Sequence, residues 1–176
     1  MTKTTRSAID DAVIIAICAS ILFVQQLALS FLPNIQFTIF LLVLFSKVLG
    51  FKKTAFIIVI HVLATNFLSP FGSVIPVLIP AMLIAYLLIP LTITTFLRPI
   101  QSALGLAMFG FVFGFVYGWI YIPFNVFFLN VPFVTYFMMD LPFEIIMGIS
   151  NFIAILWLYE PLKKVFSDQY QRFKEH

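Results

Sequence analysis

Long apolar runs alternate with short polar or proline-containing segments along the whole chain. A run of about 20 apolar residues is long enough to cross the hydrocarbon core of a bilayer as a helix. The runs predict six transmembrane helices, at residues 10–31, 37–49, 54–68, 74–97, 103–121 and 140–159. The pattern therefore predicts an all-α membrane protein, in which residues 1–176 form a single domain, a bundle of six helices with short loops.

Residues that interrupt helices follow four of the predicted spans: Pro33, Gly50, Pro123 and Pro161. At the start of the first span, Asp10 and Asp11 are expected to lie at the positive end of the helix dipole. Residues 69–73 and 124–139 are expected to form loops, so Asp140 would begin the last helix. These breaks predict where the chain leaves and re-enters the membrane.

The positive charges indicate how the helices are oriented. All ten Lys and Arg residues fall before the first span, from the end of the second to the start of the third, between the fourth and fifth, or after the last: Lys3, Arg6, Lys47, Lys52, Lys53, Arg98, Lys163, Lys164, Arg172 and Lys174. The alternate connections contain none. Because cytoplasmic loops retain Lys and Arg, both termini are predicted to be cytoplasmic.

Composition excludes several other classes of protein. The chain is 62% hydrophobic and 10% charged, whereas a soluble domain carries about 25% charged residues. The net charge of +3 comes from residues that anchor the topology, so it does not indicate nucleic-acid binding. Cys18 is the only cysteine, which excludes an intramolecular disulfide. No phosphate-binding loop or Cys/His metal motif occurs, so neither a nucleotide nor a metal site is predicted in this chain.

Polar side chains collect in the halves of the spans that face away from the basic loops. Such groups usually face the bundle interior or a water-filled cavity. The clustering favours a substrate-binding site that is loaded from outside. Its predicted members are Asn34, Gln36, Asn66, Trp119, Asn125, Tyr136, Asp140 and Glu144.

Several of these polar residues have two interpretations. Asp140 and Glu144 are four residues apart and therefore share a helix face; they either bind a ligand or lie at the membrane interface. Trp119 either stacks on a ligand ring or belongs to an interfacial aromatic belt. His61 is either a buried spacer or a group that binds ligand or handles protons. A small intramembrane enzyme or assembly factor that uses His61, Asp140 and Glu144 is thus an alternative function.

Two stripes of small residues predict close helix contacts. Gly110, Gly114 and Gly118 recur every four residues in the fifth span, and the spacing predicts packing of that helix against another. The first span carries a stripe of the same spacing: Ala8, Ala12 and Ala16, with Ser20 continuing the line. Such a stripe lets another helix backbone approach closely.

The alanine stripe, six short-looped spans, about 20 kDa and the polar cluster together resemble the substrate-binding S components of energy-coupling factor (ECF) vitamin transporters. The segments 32–36 and 50–54 also resemble these proteins. The resemblance implies that Ala12 and Ala16, with Ala8 as an extension, dock on a transmembrane coupling subunit. It further implies a multi-pass protein of the bacterial cell membrane that is not an enzyme and binds no cofactor. ATP and Mg²⁺ would bind two partner ATPase subunits.

Electrostatics narrows the vitamin that the resemblance implies. The outer connections contain no Lys or Arg that could pair with an anionic vitamin. Carboxylates, amides and aromatic rings instead suit a neutral or weakly basic heterocycle with hydrogen-bond donors, such as hydroxymethylpyrimidine or pyridoxine. Cobalamin and pantothenate are alternatives: the amide-rich cobalamin would match an amide-lined mouth, and helix N-termini can bind anions without a basic side chain.

Overall fold

A computed structural model of the protein describes residues 3–32, 34–68 and 75–175, and these residues form helices and connecting turns without a strand. The helices are α1 (Lys3–Ala28), α2 (Thr38–Phe67), α3 (Leu78–Thr94), α4 (Ala103–Leu129) and α5 (Phe133–Glu175). Among the described residues, three stretches are long and apolar enough to cross a membrane: Ala8–Ala28, Ala103–Phe128 and Phe133–Glu175. The described residues are therefore all-helical, and their long apolar stretches are consistent with the predicted helical membrane protein.

Gly50 breaks α2 into two helical halves, residues 38–49 and 51–67. Its φ of 78° and ψ of 178° are not helical, and a positive φ favours glycine because a side chain would be strained there. The break coincides with the predicted end of the second span. The two halves correspond to the predicted spans 37–49 and 54–68.

The halves of α2 run in opposite directions along α1. At the start of α2, Thr38 accepts a hydrogen bond of 2.7 Å from Gln25. Just beyond the break, Lys53 donates to Asp11, which precedes Gln25 by about 21 Å of helix. Near the end of α2, the Thr65 hydroxyl lies 3.5 Å from the side-chain oxygen of Gln26, which follows Gln25 on α1. The chain thus reverses at Gly50.

Four of the described basic side chains make contacts at one end of the bundle, which we call the basic end. Asp11 pairs there with both Lys53 and Lys174. Lys47 reaches the backbone carbonyls that follow α3, and Lys163 donates to Gln101 in the next turn of chain. The other end carries Gln25, Thr38 and the start of the cavity described below, and we call it the polar end.

α4 and α5 pack closely along the predicted glycine ridge. A Cβ atom added to Gly114 would lie 2.7 Å from the backbone nitrogen of Gly148 and 2.8 Å from its Cα atom. One turn on either side, Gly110 meets Asn151 and Gly118 meets Glu144. The predicted packing role of the ridge is confirmed, because only glycine leaves room for the two backbones at this distance.

The predicted position of Asp10 and Asp11 at a helix start is wrong. α1 begins at Lys3, so both acids lie in its interior turns. Asp11 is stabilised by ion pairs instead of the helix dipole. Burial alone would lower the pKa of Lys53, but its hydrogen bonds to Asp11 and Tyr170 raise it above the ordinary value. The acid therefore joins α1 to α2 and to the end of α5.

The predicted long connection 124–139 is also wrong. α4 continues through Pro123 to Leu129, and α5 starts at Phe133, so Asp140 lies two turns inside a helix. A proline removes a single backbone donor, and neighbouring helices make that loss tolerable in an apolar setting. The same applies to Pro161, because α5 continues to Glu175. Asn130 ends α4 in the left-handed conformation, with φ of 53°.

The ends of α1 and α3 also differ from the predicted ends of their spans. α1 already ends at Ala28, before Pro33, and α3 is shorter than the predicted span 74–97. Pro33 itself and the predicted loop 69–73 lie outside the described residues.

Candidate functional site

A cavity of about 160 Å³ lies at the polar end, between α4, α5 and the connection that follows α1. We call it the carboxylate cavity, because two acids line it. Its lining residues are Asn34, Tyr117, Gly118, Tyr121, Asn125, Tyr136, Asp140, Glu144 and Met147. The structure thus brings together five of the eight predicted substrate-binding residues: Asn34, Asn125, Tyr136, Asp140 and Glu144.

Helical periodicity explains why these side chains converge. On α4 the lining residues recur every four positions, as Tyr117, Tyr121 and Asn125; on α5 they recur at the same spacing, as Tyr136, Asp140 and Glu144. Residues four apart lie one above another on a helix. Because α4 and α5 pack against each other, the two polar stripes face one another across the cavity. Asn34 approaches from its connecting segment with a positive φ of 57°.

Glu144 is the most buried acid in the described part of the cavity wall, at 1% exposure. Its Oε2 atom accepts a hydrogen bond of 3.2 Å from the Trp119 indole nitrogen. Its Oε1 atom is buried, and none of the described residues donates to it. Gly118 makes this position possible, because an added Cβ would lie 2.8 Å from Cγ of the glutamate. A buried acceptor without a donor is costly, so a ligand that donates here would bind favourably.

Tyrosines extend the polar wall into the core. The Tyr117 hydroxyl lies 3.0 Å from that of Tyr121 and 3.3 Å from that of the fully buried Tyr86. The rings of Tyr117 and Tyr121 are 4.8 Å apart, at an interplanar angle of 34°. The sequence-based list omitted both lining tyrosines. Their four-residue spacing with Asn125 was the signal that could have identified them.

The other three predicted residues do not line the carboxylate cavity. Trp119 is half exposed, and its contact with the site is the hydrogen bond to Glu144. Asn66 donates to the carbonyl of Val62, and its amide lies 3.4 Å from the Met82 sulfur. Gln36 lines a separate cavity of about 410 Å³ between the end of α1 and the end of α2. Asn34 is shared by both cavities.

His61 lies in the core and is not among the residues that line the carboxylate cavity. It is fully buried, and neither ring nitrogen has a hydrogen-bond partner among the described residues. Its ring centroid is 5.8 Å from that of Tyr86, which in turn contacts Tyr117. His61 is therefore not a lining residue of the carboxylate cavity, although one tyrosine connects it to the wall.

The alanine stripe lies on an uncovered face of α1. Ala8, Ala12 and Ala16 are all exposed. The larger neighbours Val13 and Ile17 are also exposed, at 39% and 52%. This face is apolar and is not covered by any described part of the chain.

The carboxylate cavity offers mainly hydrogen-bond acceptors, amides and aromatic rings. Its lining contains two carboxylates and neither Lys nor Arg. No group of three His, Cys, Asp or Glu side chains converges within the described ranges, so the geometry there gives no metal centre. The arrangement suits a small ring that donates to a carboxylate and packs against tyrosines.

Comparison of the chain with protein-family models, curated proteins and solved structures found no match.

Proposed function

We propose that this chain is the substrate-binding S component of an ECF-type vitamin importer in a bacterial cell membrane. The observation that carries the proposal is the buried Glu144 carboxylate, one oxygen of which is held by Trp119 while the other lies without a donor at a small cavity. A binding subunit needs such a pre-formed site, because ordering it in advance reduces the cost of capturing a ligand.

The proposal includes the finer topology. The two halves of α2 act as separate spans, so that six helical segments cross the bilayer, with the basic end in the cytoplasm. The carboxylate cavity then opens toward the outside, where a scavenged vitamin arrives. Labelling of a cysteine at position 53, in a Cys18→Ala background, tests this orientation. An impermeant reagent applied from outside should leave that cysteine unlabelled.

The ligand is a neutral or weakly basic heterocycle with a hydrogen-bond donor. Glu144 accepts that donor, and Asp140 adds a second acceptor one turn away. A cavity of about 160 Å³ is smaller than the about 300–1,000 Å³ of typical drug-sized sites. Its size supports a single ring, such as hydroxymethylpyrimidine or pyridoxine, over cobalamin. The absence of Lys and Arg from its lining speaks against pantothenate.

Tyr117 and Tyr121, rather than Trp119, pack against the ligand ring in this mechanism. Both tyrosines line the cavity, whereas Trp119 is half exposed and is not among the lining residues. Trp119 acts as a positioning residue, because its N–H orients the carboxylate. His61 takes no direct part in binding, and its absence from the lining that holds Asp140 and Glu144 supports a binding protein over an enzyme that uses all three.

The partners follow from the uncovered face of α1. A helix of the coupling subunit packs on Ala8, Ala12 and Ala16, and two ATPase subunits with ATP and Mg²⁺ supply the energy. Purification of a tagged chain from its native membrane tests the proposal. A coupling subunit and ATPases should co-purify, and mass spectrometry should detect a small heteroaromatic compound. Isolation without ATPase partners under conditions that preserve other importers would contradict it.

A further inference from the structure

A second cavity, of about 330 Å³, opens at the basic end beside the break in α2. We call it the basic cavity. Its wall includes Lys47, Gly50, Phe51, Thr94, Arg98 and Gln101. At Gly50, no atom lies within 4 Å of the place where a Cβ would stand, so the break leaves open space. The basic cavity is formed by the reversal of α2 and the turn between α3 and α4.

Lys47 is held in the wall by the backbone. Its Nζ atom lies 2.8 Å from the carbonyl oxygen of Leu97, 3.3 Å from that of Arg98 and 2.6 Å from that of Ile100. These three bonds occupy its three protons. Lys47 therefore supplies a positive charge at a fixed place, while another group must donate hydrogen bonds to any ligand.

Arg98 and Lys163 can supply those donors. The Arg98 side chain is exposed and makes no hydrogen bond to the described residues, so its five N–H groups remain available. Lys163 uses one proton in a bond of 3.2 Å to Gln101, a residue of the cavity wall. In the described part of the chain the ion pairs join Asp11 to Lys53 and Lys174, so none of these three cations is in an ion pair there.

We infer that the basic cavity binds the phosphodiester head group of an anionic phospholipid. Three cations, of which Arg98 and Lys163 have unused donors, match a phosphate group, for which arginine is well suited because it donates in a planar fork. The apolar side of the cavity favours a lipid over a free anion. Phe51 and Ile93 line it, and Phe51 is 41% exposed, so an acyl chain can lie against the ring.

The location also fits a lipid. α3 is a short apolar helix, and Arg98 lies four residues beyond its end. A basic residue at that position reaches head-group level when the helix crosses the bilayer. The lipid would bridge the break in α2 and the turn between α3 and α4, two segments that Lys47 already joins.

Native mass spectrometry of the detergent-purified protein tests the inference. The protein is mixed with equal amounts of phosphatidylglycerol and phosphatidylcholine, and the retained lipid is counted. We expect selective retention of phosphatidylglycerol. Arg98→Gln should weaken it about fivefold, which corresponds to the loss of about 1 kcal/mol per basic residue near a lipid head group. The double variant with Lys163→Gln should weaken it further.

Lys52→Gln is the matched control, because Lys52 is exposed on the same end but does not line the cavity. It should retain phosphatidylglycerol like the unsubstituted protein. Thermal unfolding of each variant checks that it is folded. Equal retention of both lipids, or equal losses in Arg98→Gln and Lys52→Gln, would overturn the inference. Displacement of the lipid by inorganic phosphate would overturn it too, since it would identify the ligand as a soluble anion.

Discussion

Substitution of Gly114 by alanine should destabilise the contact between α4 and α5. The added Cβ atom would lie 2.7 Å from the Gly148 nitrogen and 2.8 Å from its Cα atom, whereas carbon atoms in favourable contact are about 3.5–4.0 Å apart. Backbone atoms cannot rotate away, so the helices must separate. Overpacking of this kind costs about 1–3 kcal/mol, and the better helix propensity of alanine offsets about 1 kcal/mol of it.

Gly118→Ala is the matched control on the same helix, one turn away. Its added Cβ would meet the side chain of Glu144, at 2.8 Å from Cγ and 2.9 Å from Cδ. A side chain can move aside more readily than a helix backbone, so we expect a smaller loss in free energy of unfolding than in Gly114→Ala. Ligand binding should nevertheless weaken, because the carboxylate has to leave the position in which Trp119 holds it.

Reversible unfolding in mixed detergent micelles measures both variants. If the clash costs about 3 kcal/mol and helix propensity offsets about 1 kcal/mol of it, Gly114→Ala should lose about 2 kcal/mol in free energy of unfolding. Gly118→Ala should lose less than half as much. If Gly114→Ala were as stable as Gly118→Ala, α4 and α5 would not cross at Gly114 and Gly148. The placement of the two polar stripes opposite each other would then be wrong.

Three further substitutions test other parts of the structure. Gln25→Ala removes a bond of 2.7 Å to Thr38 and should lower the free energy of unfolding by about 1–3 kcal/mol in the same assay; an unchanged value would contradict the contact between α1 and the start of α2. Asp11→Asn removes the charge that pairs with Lys174 and should speed hydrogen exchange in the last turns of α5, whereas equal exchange would refute that link. Ala16→Trp should abolish co-purification with a coupling subunit while ligand binding persists; normal co-purification would exclude the α1 face as the docking surface.

Much of the helical fold could be predicted from local patterns. Apolar runs predicted the helices, and Gly50 was recognised as a break because glycine tolerates a positive φ. The four-residue spacing of glycines predicted a close helix contact, and the structure places Gly148 opposite Gly114. These features depend on residues near one another in sequence, which is why the pattern was sufficient.

The errors arose where tertiary packing overrides a local signal. Pro123 and Pro161 were interpreted as helix ends, but both lie inside longer helices. The true end of α4 is Asn130, a residue that adopts the left-handed conformation less often than glycine and was therefore a weaker signal. The interior position of Asp140 could not be predicted once Pro123 had been taken as the end of α4.

The sequence predicted which kinds of side chain form the candidate site, but only some of the residues that line it. The position of each residue along its predicted span placed the amides and acids at one end of the bundle. Asn34, Asn125 and Glu144 do line one cavity there. Which face a polar residue presents depends on the rotation of its helix, and the sequence pattern alone did not determine that rotation. Trp119 and Asn66 consequently satisfy other contacts, while Tyr117 and Tyr121 were left out.

Calorimetric titration tests the central claim most directly, that Glu144 in the carboxylate cavity binds a neutral or weakly basic heterocycle. The ligands are hydroxymethylpyrimidine, pyridoxine, cobalamin and pantothenate, each titrated into the unsubstituted protein and into Glu144→Gln. A hydrogen bond to a carboxylate contributes about 1.5–3 kcal/mol. We expect hydroxymethylpyrimidine or pyridoxine to bind, with an affinity that falls about 10- to 100-fold in Glu144→Gln. Tight binding of pantothenate alone, unchanged by the substitution, would contradict the claim.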